Sequence, residues 1–125
     1  KNVDFNKNDG TSKIDEWYVQ TKEHGVVVTV IAQTTCGHCK LFKPIMEEVH
    51  EENDFNLFWL EANELNNKDY TTLTKTYDIS DYQGTPYTFI TNNGEVVATH
   101  SGRMEKEDLV NFLVENGVIN TEVSE

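Results

Sequence analysis

The chain has 125 residues, enough for one domain with its own hydrophobic core. Its formal net charge of −12, with no cluster of Lys or Arg, argues against nucleic acid and against anionic membrane surfaces as partners. No apolar run is long enough to cross a bilayer, so no membrane insertion is expected.

Residues 1–12 are polar, carry the turn signal Asn8-Asp9-Gly10, and read as a flexible arm. Lys13 to Glu23 reads as a helix that buries Ile14, Trp17 and Tyr18, with Ser12 as its N-cap and Gly25 as its stop. Val26 to Ala32 is a continuous, mostly β-branched run, the pattern of a strand covered on both faces. A second helix runs from Cys36 to about Glu52, with Phe42, Ile45, Met46 and Val49 on one side and Pro44 inside it to bend it. Asn56 to Ala62 reads as a second central strand around Leu57-Phe58-Trp59-Leu60. Asp69 to Tyr77 reads as a helix presenting Tyr70, Leu73 and Tyr77. A turn-rich stretch from Asp78 leads through Thr85 to Pro86. Tyr87 to Thr91 and Val96 to His100 form a hairpin around Asn93-Gly94. A last helix, Glu105 to Asn116, buries Leu109, Phe112 and Leu113 and stops at Gly117. The order predicts an α/β domain over residues 13–119, a mixed central sheet with helices on both faces, and a short tail, 120–125. Trp17, Trp59, Tyr70 and Phe89 are expected in the core; Tyr82 and Tyr87 either line a groove or pack inside.

The chemistry concentrates in Cys36-Gly37-His38-Cys39, which holds both cysteines of the chain. A helix starting at Cys36 puts both sulfurs on one face, at a strand-to-helix junction. Helix N-termini carry partial positive charge and unpaired N–H groups, and these stabilise the thiolate, the reactive form of cysteine. Cys36 is therefore the expected nucleophile and Cys39 the residue that resolves what Cys36 attaches to. The competing reading, half of a zinc site, lacks ligands: there is no third cysteine, and His24, His50 and His100 are scattered. No metal is expected. His38 is placed to donate to the Cys36 thiolate or, protonated, to pair with it, which makes the disulfide more oxidising.

The element order and this motif together resemble the thioredoxin fold, from about Ser12 to Asn116. Lys40 after the second cysteine, Pro44, Gly84-Thr85-Pro86, Asn93-Gly94-Glu95-Val96 and Gly102 all fall where thioredoxins carry the same features. The dipeptide Gly37-His38 is that of protein disulfide isomerases, and the whole is similar to thioredoxin-like proteins of Gram-positive bacteria. The resemblance implies thiol–disulfide exchange with protein thiols and disulfides, no cofactor, a separate redox partner that recycles the couple, and a monomer. It implies that Pro86 is cis and that Thr35, Thr85 and Pro86 lie where an extended client segment binds. It places the couple nearer protein disulfide isomerase, about −180 mV, than thioredoxin, about −270 mV.

Three departures stand out. Thr35 replaces a tryptophan before the first cysteine, Val30 replaces a buried acid on the preceding strand, and Glu61 stands where a lysine is frequent. The segment between Glu61 and Pro86 is also longer than in a minimal thioredoxin, which puts Ser80 to Gln83 beside the active site. With no acid at Val30, Glu61 either relays the proton of Cys39 from under the second helix or stands in solvent at a strand end. Two alternatives to an oxidant or isomerase remain: a reductase recycled by a membrane donor, and a client-binding folding accessory with incidental redox activity. The chain begins at Lys1 rather than Met. An extracytoplasmic location is the expectation from that start and from the oxidant-type dipeptide, with the cytoplasm as the alternative.

Overall fold

The computed structural model describes residues 13–120, so the expected arm, the Ser12 cap and most of the expected tail lie outside the described residues. Among the described residues, four helices and four strands follow the order read from the sequence, and a 3-10 turn, Ala62–Glu64, is added after the second strand. Strands β1 (Val26–Ala32), β2 (Asn56–Glu61), β3 (Tyr87–Asn92) and β4 (Glu95–Ser101) form one sheet in the order β2-β1-β3-β4. β1 runs parallel to β2 and antiparallel to β3, and β3 runs antiparallel to β4, so the sheet is mixed. Among the described residues β2 is an edge strand, not a central one; its apolar run is buried because helices cover it, not because strands flank it on both sides.

Alternation along the strands sends one set of side chains to each face. Val28, Val30, Leu57, Trp59 and Ile90 pack with Phe42, Met46 and Val49 of α2 (Gly37–Glu52) and Leu109 and Leu113 of α4 (Lys106–Glu115). Val27, Ile31, Phe58, Leu60, Tyr87 and Phe89 pack on the other face with Ile14 and Trp17 of α1 (Lys13–Glu23) and Leu73 of α3 (Asn67–Lys75). Each large apolar side chain buried in this way contributes about 1.5–3 kcal/mol.

The buried face of α1 is Ile14, Trp17 and Thr21, spaced i, i+3, i+7. Tyr18 lies off that stripe and is 45% exposed, against expectation, with the Lys22 ammonium 5.6 Å from its ring centre. Thr21 takes the interior place instead: its hydroxyl donates to the Trp17 carbonyl at 2.8 Å and accepts from Tyr77 at 2.7 Å. The Trp17 indole N–H donates to Thr29 at 2.8 Å, so the polar side chains of Trp17, Thr21, Thr29 and Tyr77 are paired with one another or with backbone.

α3 starts earlier than its expected Asp69, because the Asn66 side chain caps it by accepting from the Asp69 N–H at 2.7 Å. Tyr70 is exposed rather than core, and Tyr77 lies past the end of α3 yet is buried. Ala62 opens the 3-10 turn instead of ending β2. The β3–β4 hairpin closes through Asn93 and Gly94, both with positive φ (49° and 90°), the geometry that Asn-Gly turns accept at low cost.

Candidate active site

β1 ends at Ala32, and the loop Gln33 to Thr35 carries the chain into α2. Asn63, in the 3-10 turn after β2, fixes that loop from the side. Its Oδ1 accepts from the Thr34 N–H at 3.0 Å and its Nδ2 donates to the Thr34 hydroxyl at 2.8 Å. Cys36 is then the N-cap of α2, in extended conformation (φ −88°, ψ 117°), and its Sγ accepts from the Cys39 N–H at 3.1 Å. The sulfur thus sits where an Asp or Ser oxygen usually caps a helix, facing a terminus equivalent to about half a positive charge. A thiolate at this position is stabilised by the N–H it already accepts from.

Cys36 and Cys39 are joined as a disulfide, with Cα atoms 5.2 Å apart. The two sulfurs differ in access: Cys36 is half-buried, and Cys39 is only 3% exposed, packed with Phe42, Val30 and Ala32. Thr35, Gly37 and His38 are exposed around them. No atom lies within 4 Å of where a Gly37 side chain would begin, so its smallness leaves the mouth of the site open.

The Thr85–Pro86 peptide bond is cis, with Pro86 buried and Thr85 half-buried. The Thr85 carbonyl oxygen lies 3.4 Å from Cys36 Sγ, and the Pro86 carbonyl accepts from the Gly102 N–H at 2.8 Å. The loops ending β1 and preceding β3 therefore meet at one sulfur, and the residue following β4 braces Pro86 behind it.

His38 is held from across the site. Its Nδ1 accepts from Arg103 Nε–H at 3.3 Å, and the same guanidinium pairs with Glu105. A nitrogen that accepts carries no proton, so this arrangement selects the imidazole tautomer protonated at Nε2. The ring engages Arg103 rather than a cysteine sulfur.

Glu61 closes β2 opposite Ala32 of β1 and shares the α2-facing side with Leu57 and Trp59. Its Oε2 accepts from the Trp59 indole N–H at 2.8 Å, while its Oε1 is buried without a hydrogen-bond partner. The Lys43 ammonium lies 5.9 Å from the Trp59 ring centre, above this pair. Glu61 is thus half-buried under the helix that carries Cys39.

The stretch before Pro86 is tied by Asp81. Its carboxylate accepts from the Tyr87 hydroxyl at 2.5 Å and from the Thr99 hydroxyl at 2.9 Å. The Tyr87 and Thr99 donors hold this carboxyl below its ordinary pKa. Burial first, and the bond to Asp81 second, push the Tyr87 hydroxyl up. Tyr82 packs on Tyr87 with ring centres 5.3 Å apart, and its own hydroxyl is pushed up to about 12, by burial and then by neighbouring Tyr70.

Arg103, Asn63 and Asp81 were not singled out from the sequence. Arg103 is 65 positions from His38 and Asn63 is 29 from Thr34, so no local pattern announces either contact. For Asp81 a signal existed: an acid six residues before a tyrosine, across a proline turn.

The Thioredoxin family profile matches residues 11–115. A thioredoxin of Listeria monocytogenes is 30% identical over 95 residues, 76% of this chain and 86% of that protein. A thioredoxin of Buchnera aphidicola is 32% identical over 81 residues, 65% and 69% of the two chains. Among solved structures, a thioredoxin from Aeropyrum pernix superposes with a TM-score of 0.68 at 17% identity, covering 82% of each chain. A single-site mutant of a thioredoxin from Halobacterium salinarum does so with 0.62 at 20% identity, covering 93% of this chain and 89% of its own. These two share the fold. The match along nearly all of the described chain, over a redox-paired Cys-x-x-Cys at a helix start, places this protein in the thioredoxin family.

Proposed function

We propose that the chain is a thiol–disulfide oxidoreductase that exchanges disulfides with protein clients through Cys36 and Cys39, leaning toward oxidation and isomerisation. The observation that carries the exchange itself is the unequal access of two bonded sulfurs: one reachable at a helix N-cap, one sealed beneath it.

In the reducing direction the Cys36 thiolate attacks one sulfur of a client disulfide. The Cys36–client bond forms as the client S–S bond breaks, and the leaving client thiolate takes up a proton. Cys39 then loses its proton and attacks Cys36 Sγ, the Cys36–Cys39 bond forms, and the second client thiolate leaves. The client gains two electrons and two protons, and the protein gives up both. Run backward, the same steps oxidise a client dithiol. The oxidised or reduced couple is then restored by a redox partner.

Each other residue has a part in that cycle. Thr85 and Pro86 offer backbone beside Cys36 for an extended client strand, with exposed Thr35 and Gly37 leaving room for it. Glu61 Oε1, buried on the Cys39 side of the sheet, takes the proton that Cys39 loses, directly or through water.

The oxidising lean rests on His38 in the first turn of α2, where its Nε2–H can reach toward a thiolate and favour the reduced protein. Such a protein suits an oxidising, extracytoplasmic compartment. One observation favours the opposite direction: the ring's Nδ1 is engaged by Arg103 Nε–H at 3.3 Å. Titration of the couple in glutathione buffers decides between them. A potential near −180 mV or higher supports the oxidant or isomerase, and one near −270 mV makes the protein a reductase with a dedicated electron donor. The exchange reading itself is tested by Cys36→Ser, which should abolish turnover of any disulfide, and Cys39→Ser, which should accumulate a mixed disulfide seen by mass spectrometry.

A further inference from the structure

Residues 76–86 contain no helix or strand, yet they must deliver the Thr85 carbonyl to within 3.4 Å of Cys36 Sγ. An irregular run of that kind stays in one conformation only if side chains fix it. The apolar anchor is Ile79, 6% exposed, and a turn forms where the Tyr82 N–H donates to the Ile79 carbonyl at 2.9 Å. Beyond that turn the fixing element is polar. Asp81 reaches the first residue of β3, Tyr87, with one oxygen and the middle of β4, Thr99, with the other. The contact to Tyr87 closes a ring of chain, 81–87, and Thr85 and Pro86 are inside that ring. The Tyr82 ring lies against Tyr87 within the same ring of chain.

We propose that Asp81 is a positioning residue for protein clients: its carboxylate fixes residues 82–85 as one wall of the client groove and so holds the Thr85 backbone in the pose that pairs with an extended segment. This rests on the exchange reading above and assigns the docking of clients to a specific side chain. Asp81 is itself exposed and touches neither sulfur, so it governs where a client lies rather than how the sulfurs react. Both oxygens accept from hydroxyl donors, and truncation to Ala removes both bonds, whereas an amide could keep them because a hydroxyl also accepts from N–H. A small disulfide reaches Cys36 Sγ without lying along Thr85 and has no use for the wall.

The test compares wild type, Asp81→Ala and Thr99→Val on two substrates, a disulfide-bonded protein (insulin) and hydroxyethyl disulfide, with the reduction potential measured in parallel. For Asp81→Ala, KM for the protein disulfide should rise about tenfold, with kcat, the rate on hydroxyethyl disulfide and the reduction potential all close to wild type. Thr99→Val, which leaves the Tyr87 bond in place, should move KM in the same direction by less. Equal losses on both substrates, or a shifted potential, would mean that Asp81 acts on the sulfurs or on folding, and would overturn the proposal. Unchanged kinetics on both substrates would overturn it as well. A wild-type protein that turned over neither substrate would instead remove the exchange reading beneath it.

Discussion

Replacing Glu61 by Gln should slow the release of a client without loosening the fold. The structure separates the two effects. Glu61 Oε2 serves the Trp59 indole N–H, and the Gln amide oxygen can do the same, so the stability change should stay within about 1 kcal/mol. What Gln cannot do is take a proton at the position of the unpartnered Oε1. A well-placed general base is worth roughly 10²–10⁴ in rate. Cys39 can also lose its proton to water, so the expected loss at pH 7 lies below that range, about tenfold, or about 1.4 kcal/mol of barrier. Glu61→Leu is the control: it leaves an indole N–H without its acceptor on a residue 3% exposed, at a cost of about 1–3 kcal/mol. The assay is a single-turnover reaction of reduced protein with a client disulfide, quenched by alkylation and read as mixed disulfide by mass. The Gln variant should accumulate it, and the gap to wild type should narrow as pH rises and hydroxide substitutes for the carboxylate. A Gln variant within twofold of wild type at pH 7, beside a destabilised Leu variant, would refute the relay.

His38→Ala should move the reduction potential to more negative values by about 30 mV, a tenfold change in the equilibrium with glutathione; an unmoved potential would show that Arg103 has already taken His38 out of play. Thr29→Val leaves the buried Trp17 indole N–H without its acceptor and should cost about 1–3 kcal/mol in urea unfolding. At the alkaline end, the Tyr82 hydroxyl is held protonated up to about 12 in the folded protein, while an unfolded tyrosine titrates near 10. Its contribution is therefore complete below pH 10 and is lost as pH rises toward 12, so Tyr82→Phe should flatten the fall of the urea midpoint in that window. At the acid end, the Asp81 carboxyl is held below its ordinary range, so its contribution is present above about pH 4 and is lost as pH falls through the folded value. The stability difference between wild type and Asp81→Asn should shrink accordingly below pH 4.

Elements defined by their own residues were readable. Val26 to Ala32 declares its strand through a continuous, mostly β-branched run, and Asn93-Gly94 declares a tight hairpin because few other residues accept positive φ twice. Tyr18 and Tyr70 misled because an aromatic on a helix reads as core until the angle of the buried stripe is known, and a single helix of three turns fixes that angle poorly. The edge position of β2 among the described residues was not readable either: an apolar run reports burial, and helices bury as well as strands do. At the site, Cys36 and Cys39 were legible because their spacing is helical. Arg103 and Asn63 were not, because their contacts exist only once the chain has returned to the same end of the sheet.

The sealing of Cys39 also governs time. A client can be captured only through Cys36, while the sulfur that ends the encounter already waits inside the same molecule. Capture is bimolecular and depends on how many clients are present. Release is unimolecular, with a rate set by Cys39, by the groups around it and by the client thiol that leaves. On the proposed exchange reading, a client would therefore meet an internal clock: one whose own thiols rearrange faster than that clock would leave reshuffled, and a slower one would leave reduced. Outcomes would then be sorted by how fast the docked client rearranges, after the groove has bound it.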